Sequence, residues 1–491
     1  MFELTDHRGD DAEPTFTYAD TFAGIGGFAA VLEDLGGRSV YVVEFDRHAA
    51  AVYERNWGHR AYGDITLDAT DDGFRPLEKL DGQRLGAPQP PPHIDVFTGG
   101  FPCQPFSKSG AQRGMDETRG TLFWNIEKIL RETRPTLVVL ENVRNLAGPR
   151  HLHEWQVIID HLRQLGYQVS STPAVFSPHQ IKPEYGGAPQ VRERVYITAT
   201  LVPDGMVADP LVPPVRLPEH VLMDREWDLR ADLPLEDRHD IPGTEITPDE
   251  RLWIDHWDQM VQTIREMFAR DADLLGEPAR GIPGHPIWAN VWTADDRRRR
   301  DLMAPDGVPV PRWKADFLRK NWSLYDALRG RGDAAWLARW LRTTRTFPES
   351  RQKLEWQAQD APGMWDCVIS LRPSGLRVKR MTHLPALVAI TQTPILGPLQ
   401  RRLSVREAAR LQGLDDTFTF GDQRDALSYK QLGNGVNTGV VRKVLEAHIE
   451  RDRQMLEHTP TGQRIIDAVE RARSSEAPRP ERPMIAASIS R

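Results

Sequence analysis

The sequence predicts an α/β protein, a Rossmann-like domain on a parallel sheet joined to a second, smaller domain, and three observations carry that expectation. Residues 16–35 pass from an apolar, strand-like start through Asp20-Thr-Phe-Ala-Gly-Ile-Gly-Gly-Phe into a helical pattern, the strand–turn–helix unit that opens such sheets. Thr136-Leu-Val-Val-Leu is a short unbroken apolar run, as a strand buried on both faces requires. Finally, 491 residues exceed what one ordinary core holds. The composition changes near Leu201, and 11 of the 14 tryptophans fall between Trp227 and Trp365, enough large rings for a separate core.

After a polar, acidic tail, Phe16 to Asp20 begins the first strand and Ala29 to Leu35 is the first helix. Between them Gly24, Gly26 and Gly27 let the backbone approach a ligand, and their spacing is too compact for the dinucleotide fingerprint. Ser39 to Phe45 reads as the second strand. Glu44 stands at its end, where a carboxylate either binds the two ribose hydroxyls of an adenosine or sits in solvent. Gly63-Asp64-Ile65 closes a third strand, and a Gly- and Pro-rich loop covers 81–92. The run His93 to Phe97 then leads into Phe97 to Gly110, FTGGFPCQPFSKSG. Cys103 lies in a turn of Gly99, Gly100, Pro102 and Pro105, a poor place for a packing cysteine, and Lys108, Arg113 and Arg119 follow to favour its thiolate.

A helix is expected from Arg119 through Arg131. The run from Thr136 delivers Glu141-Asn142-Val143 at a strand end, where open α/β sheets collect catalytic groups, although a carboxylate there also serves as a helix cap. His153 to Leu165 has helical periodicity and Tyr167 to Val175 reads as a strand. In Gln190-Val-Arg-Glu-Arg, the side chains of Gln190, Arg192 and Arg194 alternate onto one face. Two guanidiniums there suit an anion or the acceptor edge of a base.

Together these stretches resemble the bacterial DNA (cytosine-5) methyltransferases, from Tyr18 to about Ile449. Pro-Cys-Gln-Pro-Phe-Ser is similar to that family's catalytic loop, Glu-Asn-Val to its second catalytic motif, and Gln-x-Arg-x-Arg to a third. Asp20-Thr-Phe-Ala-Gly resembles its S-adenosylmethionine turn, with Thr21 where leucine is usual. Arg401 to Gly413 and Tyr429-Lys-Gln-Leu-Gly-Asn-Gly-Val resemble the closing motifs, and Ser404 with Glu407 has capping-box spacing.

The resemblance implies a Rossmann-like S-adenosylmethionine-dependent methyltransferase domain with a second, smaller target-recognition domain. It implies that Cys103 attacks carbon 6 of a cytosine flipped out of duplex DNA, while Glu141, assisted by Arg192, holds ring nitrogen 3, with Gln190 and Arg194 completing the catalytic set. Cofactor contacts are implied for Phe22, Gly24, Ile25, Gly26, Gly27, Glu44, Asp64, Gly100, Pro102, Leu122 and Asn434, with Asp64 near the adenine amino group. Gln104, Ser107 and Arg119 are implied as substrate contacts, S-adenosylhomocysteine as product, and no metal as necessary.

The second half is segregated in charge. From Gly205 to Val310 there are 12 Lys/Arg against 22 Asp/Glu, and from Pro311 to Arg402 there are 17 against 7, so a basic face lies there. The net charge of −7 nevertheless argues against a protein that coats nucleic acid nonspecifically. Arg297 to Arg300 read as a solvated loop, whereas Arg372, Arg377, Lys379 and Arg380 surround a turn placed to touch DNA. The expected divisions are a polar tail over 1–15, the catalytic domain over 16–204 and 421–455, the target-recognition domain over 205–420, and a flexible tail over 456–491.

With two cysteines, Cys103 and Cys367, and no run of about 18 apolar residues, the expectation is a soluble, cytoplasmic and monomeric enzyme. A restriction or phage-defence system is its expected partner. Two readings from other classes compete, a tRNA cytosine-5 methyltransferase and a noncatalytic nucleic-acid-binding scaffold. The long insertion favours duplex DNA over tRNA, and intact Cys103 and Glu141 favour an enzyme over a scaffold.

Overall fold

The computed structural model describes residues 15–61, 63–76, 91–102, 122–275, 281–387 and 393–475. By packing, the chain divides into two units: the first runs to Glu226 and resumes at Ala409, with the short stretch 386–389, and the second comprises Trp227–Pro385 and Ile390–Ala408. In the first, β1 (Phe16–Thr21), α1 (Gly27–Asp34), β2 (Gly37–Val43) and α2 (Arg47–Trp57) are followed by a helical turn, α3 (Ile65–Asp68), and a short hairpin, β3 (Ala69–Thr70) with β4 (Gly73–Phe74). Then come β5 (Val96–Gly100), α4 (Leu122–Thr133), β6 (Leu137–Val143), α5 (Leu152–Gln164), β7 (Tyr167–Val169), β8 (Ala174–Phe176), β9 (Gln190–Val191) and β10 (Arg194–Leu201).

The main sheet has the order β2-β1-β5-β6-β10-β7, with β8 also on β10. β2, β1, β5 and β6 are parallel, and β10 returns antiparallel to β6. The apolar run of β6 is buried on both faces, as its sequence requires: Leu137 and Val139 enter one core, Val138 and Leu140 the other.

The second unit contains α6 (Leu229–Asp232), α7 (Pro248–Leu275), β11 (Ile287–Trp288), α8 (Asp296–Met303), α9 (Arg312–Arg331), α10 (Ala334–Thr344), β12 (Lys353–Gln357), β13 (Val368–Arg372), β14 (Gly375–Lys379), β15 (Leu384–Pro385), β16 (Ile395–Leu396) and β17 (Arg401–Arg402). Its sheet, β11-β12-β14-β13-β16-β17, turns Leu354, Trp356, Ile369, Leu371, Leu376 and Val378 toward Trp257, Trp292 and Trp340. The tryptophan-rich stretch thus has a core of its own. Residues 297–300, expected as loop, lie in α8, whose N-cap Asp295 accepts from the Arg297 and Arg298 amides. α11 (Val405–Leu411) starts from the expected capping box: the Ser404 amide donates to Glu407 Oε2 at 2.8 Å and the Glu407 amide to Ser404 Oγ at 3.2 Å.

The chain closes with α12 (Asp425–Asn434), α13 (Thr438–Arg451), α14 (Arg453–Leu456) and α15 (Pro460–Ser475). Val440, Val444 and Ile449 of α13 and Ile465, Ile466 and Val469 of α15 join α1 on one face of the main sheet, while α4 and α5 cover the other. Where a flexible tail was expected from 456, the chain therefore continues as packed helix to 475. Likewise 205–226 and 409–420 go with the first unit. Val215 and Val221 enter its core, and Phe418 packs on Trp57 with ring centroids 6.3 Å apart.

Four expected extended segments differ. β2 stops at Val43, and no strand precedes Asp64 among the described residues. The segment meets the chain just past β2 through two backbone bonds, Glu44 N–H to the Ala61 carbonyl at 2.5 Å and Gly63 N–H to the Glu44 carbonyl at 3.0 Å, and Asp64 caps α3. Tyr167 to Val175 is split into β7 and β8 around Pro173, which has no amide proton for a ladder. Gln190 to Arg194 is likewise interrupted at Arg192 and Glu193.

A buried staple ties α13 to the far end of β10. Asp452 accepts from Gln168 Nε2 at 3.0 Å, Thr200 Oγ1 at 2.6 Å, and Arg451 Nε and Nη2 at 2.9 and 2.6 Å. Burial raises its pKa, but hydrogen bonds from His448 and Arg451 outweigh that and hold the carboxyl below the ordinary 3.8. Asp452→Asn should lower stability by about 2 kcal/mol in urea unfolding at neutral pH. Because the folded pKa is depressed, the contribution of Asp452 is complete above the unfolded value and declines as pH falls below it. The gap between wild type and variant should accordingly narrow only in acid.

Candidate active site

The chain runs from β1 to β2 on one side and later to β5 on the other, so the carboxyl ends of β1 and β5 form the switch point of the sheet. Catalytic candidates meet along that edge. Gly100 stands opposite Glu141 between β5 and β6, and Arg194 opposite Val143 between β6 and the antiparallel β10. A Cβ on Gly99 would lie 2.5 Å from Thr21 Oγ1 and one on Gly100 3.3 Å from Glu141 Oε2, so glycine keeps the strand close to both neighbours.

Glu141 is 7% exposed, and Arg194 Nε lies 2.9 Å from its Oε1. Burial pushes its carboxyl above the ordinary range, with Arg194 and then Arg192 opposing. The next residue, Asn142, donates through Nδ2 to the Phe101 carbonyl at 2.7 Å, fixing the backbone two residues before Cys103. Pro102 is exposed.

Gln190, Arg192 and Arg194 do not act as one face. Arg192 is buried, and instead of reaching Glu141 its guanidinium donates to the carbonyls of Leu387 at 3.0 Å, Gly433 at 2.9 Å and Gly435 at 2.6 Å. Arg194 is the partner of Glu141. Gln190 is fully buried, and neither atom of its amide has a partner among the described residues.

The turn after β1 is strained open. Phe22, Gly24 and Gly26 have φ of 56°, 57° and 91°, a left-handed run that costs a non-glycine residue such as Phe22 on the order of 1 kcal/mol. A Cβ on Gly24 would meet nothing within 4 Å, one on Gly26 would strike the Trp57 indole, and one on Gly27 would lie 2.6 Å from Val436. Gly26 and Gly27 therefore serve packing, with Ile25 buried beside them, while Gly24 borders open space. Glu44 crosses to this turn. Its Oε2 accepts from Gly24 N–H at 2.8 Å and its Oε1 from Asp46 N–H at 2.7 Å. Burial raises its pKa, and those amides oppose the rise. Asp64 spends Oδ1 on the Thr66 amide and hydroxyl at 2.9 and 2.7 Å. Leu122 is half-buried at the start of α4, and Asn434 is exposed at the end of α12.

The model of the C-5 cytosine-specific DNA methylase family matches residues 16–267 and 339–450. The chain belongs to that family. This methylase is 47% identical to the type II methyltransferase M.AluI of Cellulosimicrobium cellulans over 525 residues, 93% of this chain and 96% of that protein. It is also similar to the type II methyltransferases M.HpaII of Haemophilus parainfluenzae, 38% identical over 37% of this chain and 45% of that one, and M.HhaI of Haemophilus parahaemolyticus, 36% identical over 37% and 47%. It is a DNA (cytosine-5-)-methyltransferase with S-adenosylmethionine as cofactor.

In the second unit of the methylase, strand pairing puts Arg372, Arg377 and Lys379 on the sheet face opposite the core, with Ser370, Lys353 and Gln357. Arg377 Nε bonds Glu355 Oε2 at 2.6 Å, and Arg380 Nη1 bonds Gln359 Oε1 at 3.0 Å. Burial, then Arg377 and Arg372, pull the Lys379 pKa down. Cys367 is inside the core and burial pushes its thiol up to about 12, so it is a packing residue. Cys103, Gln104, Ser107 and Arg119, expected at the site, lie outside the described residues.

Sequence reading does not single out three residues at this edge. Asp20 is fully buried, with Oδ1 held by the Thr98 hydroxyl at 3.0 Å, Oδ2 without a partner among the described residues, and burial pushing its pKa up to about 8. Phe45, 71% exposed beside Glu44, is a large ring left uncovered, and its position after a strand-end acid was the available signal. The role of Asn142 as a tie between strands has no signature in sequence.

Proposed function

We propose that this methylase transfers a methyl group to carbon 5 of a cytosine flipped from a specific duplex DNA sequence, through a covalent bond to Cys103. The observation that carries the reading is a buried Glu141, paired with Arg194, at the strand end beside that of β5, the strand that precedes Cys103 in the chain. The Cys103 thiolate adds to carbon 6. Glu141, whose raised pKa favours the acid, gives ring nitrogen 3 a proton, so that electron density moves to carbon 5. Arg194 holds the carboxyl in place, Arg192 anchors the adjoining backbone, and Gln190 offers an unengaged amide. S-adenosylmethionine, when bound, supplies the methyl group. Loss of the carbon 5 proton to water then expels the thiolate, and ring nitrogen 3 returns its proton to Glu141. The test is methyl transfer to duplex DNA against tRNA, followed by sequencing of methylated cytosines in a host expressing the protein. Transfer to tRNA alone would overturn the assignment.

The turn after β1 fits the cofactor. Glu44 offers a carboxylate to a ribose diol, Gly24 leaves room, Phe45 offers an apolar ring, and Asp20 Oδ2 is unspent. Phe22, Asp64, Gly100, Pro102, Leu122 and Asn434 are the remaining proposed contacts, and Ile25, Gly26 and Gly27, whose side-chain positions serve packing, are proposed to contribute backbone alone. Glu44→Ala should weaken cofactor binding by about 1–3 kcal/mol in calorimetry, through lost charge-assisted hydrogen bonds. Unchanged affinity in folded protein would refute the ribose assignment.

The second unit is proposed as the target-recognition domain. Replacing Arg377 and Arg380 by alanine should leave cofactor affinity alone and reduce the salt slope of DNA binding by about 1 per lost phosphate contact. Equal binding at every salt concentration would place the DNA face elsewhere. The type II names of the relatives favour a restriction partner. A monomer in the cytoplasm is part of the same proposal, and among the described residues no helix is long and apolar enough to cross a membrane.

A further inference from the structure

The break between β9 and β10 leaves Arg192 and Glu193 outside any strand ladder, yet this is the segment from which Arg192 and Arg194 project. Its backbone is held from β8. Phe176, the last residue of β8, pairs with Arg194, and the next residue, Ser177, turns its buried hydroxyl under the break. Arg192 N–H donates to Ser177 Oγ at 2.8 Å, the Gln190 carbonyl lies 3.4 Å from the same oxygen, and His179 Nδ1 lies 2.8 Å from it. The half-buried His179 ring is also hydrogen-bonded to the Gln190 carbonyl. A neutral imidazole has one acceptor and one donor nitrogen, so it can take the Ser177 proton and give its own to Gln190, closing a ring of bonds around the break. Burial lowers the His179 pKa toward that neutral form, with Glu193 opposing.

We infer that Ser177 and His179 are a positioning pair, which sets the backbone from Gln190 to Arg192 and thereby where Arg194 meets the carboxyl of Glu141. Arg192 is clamped at both ends, its amide by Ser177 and its guanidinium by the Leu387, Gly433 and Gly435 carbonyls, so the span to Arg194 has little freedom while both hold. The inference rests on the proposed role of Glu141 and Arg194. Neither Ser177 nor His179 touches the reacting atoms in this scheme.

The test compares Ser177→Ala, His179→Ala, the double variant and Glu141→Gln in the full chain. It reads single-turnover methyl transfer at saturating duplex DNA and cofactor, with calorimetry for cofactor affinity. Displacing a catalytic group by a fraction of an ångström is costly, so Ser177→Ala should slow transfer roughly tenfold or more at unchanged cofactor Kd and unchanged DNA KM. His179→Ala should slow it roughly threefold, and the double variant should be no slower than Ser177→Ala, because both act through one hydroxyl. A wild-type rate for Ser177→Ala, or single effects that multiply in the double variant, would overturn the pair. If Ser177→Ala does not fold, His179→Ala alone decides, a wild-type rate again overturning it. Full activity of Glu141→Gln would sink the reading of the site itself. An inactive Glu141→Gln beside a fully active Ser177→Ala would remove only this inference.

Discussion

Glu141→Gln is expected to bind duplex DNA and cofactor nearly as the wild type does and to transfer methyl groups roughly 10²–10⁴-fold more slowly. The two side chains have almost the same shape, and an amide N–H can still donate to ring nitrogen 3. It cannot deliver a proton. As the thiolate adds to carbon 6, negative charge builds on the ring, and only an acid can neutralise it by transfer. The substitution also replaces half of an ion pair, since Arg194 Nε stands 2.9 Å from the carboxyl, so Arg194 will turn toward other acceptors. Single-turnover transfer at saturating DNA and cofactor isolates the chemical step. A loss below tenfold, with DNA affinity intact, would show that Glu141 only shapes the pocket. In the wild type the same step should slow as pH rises through the Glu141 pKa, which lies above the ordinary carboxylate range because burial outweighs the two arginines.

How much of this was legible in the sequence depended on whether a feature is local. The strand–turn–helix around Gly24, the two-faced strand from Leu137 and the Ser404–Glu407 capping box are each written in a few adjacent residues, and each is present. A period-2 pattern also suggested that Gln190, Arg192 and Arg194 share a face. It failed because alternation holds only inside a ladder, and the ladder breaks at Arg192, whose amide is taken by Ser177. The choice between Arg192 and Arg194 as partner of Glu141 is settled by β10 running antiparallel to β6, a pairing that no local spacing encodes. The C-terminal helix was hidden for a related reason. Ile465, Ile466 and Val469 have helical spacing, but what makes them core is the β1 and α1 surface more than 400 residues earlier in the sequence.

A duplex carrying 5-fluorocytosine at the target position is expected to be methylated by this enzyme and never released. If Cys103 adds to carbon 6, the covalent bond is broken only when carbon 5 gives up its proton, and fluorine cannot leave in that way. A denaturation-resistant adduct of protein and DNA should therefore accumulate, visible as a shifted band on a denaturing gel, and only when S-adenosylmethionine is present. Cys103→Ser should give none and should lose essentially all turnover, since an alcohol near neutral pH has almost no alkoxide to attack with, although the variant can still bind and flip the base. Cys367→Ser is the matched control. That thiol is buried in the core of the second unit with its pKa pushed up to about 12, so its replacement should leave the adduct and its yield per folded molecule unchanged. An active enzyme that forms no adduct with the fluorinated duplex, or a Cys103→Ser variant that turns over at the wild-type rate, would remove the covalent step and leave Glu141 and Arg194 to be explained by another chemistry.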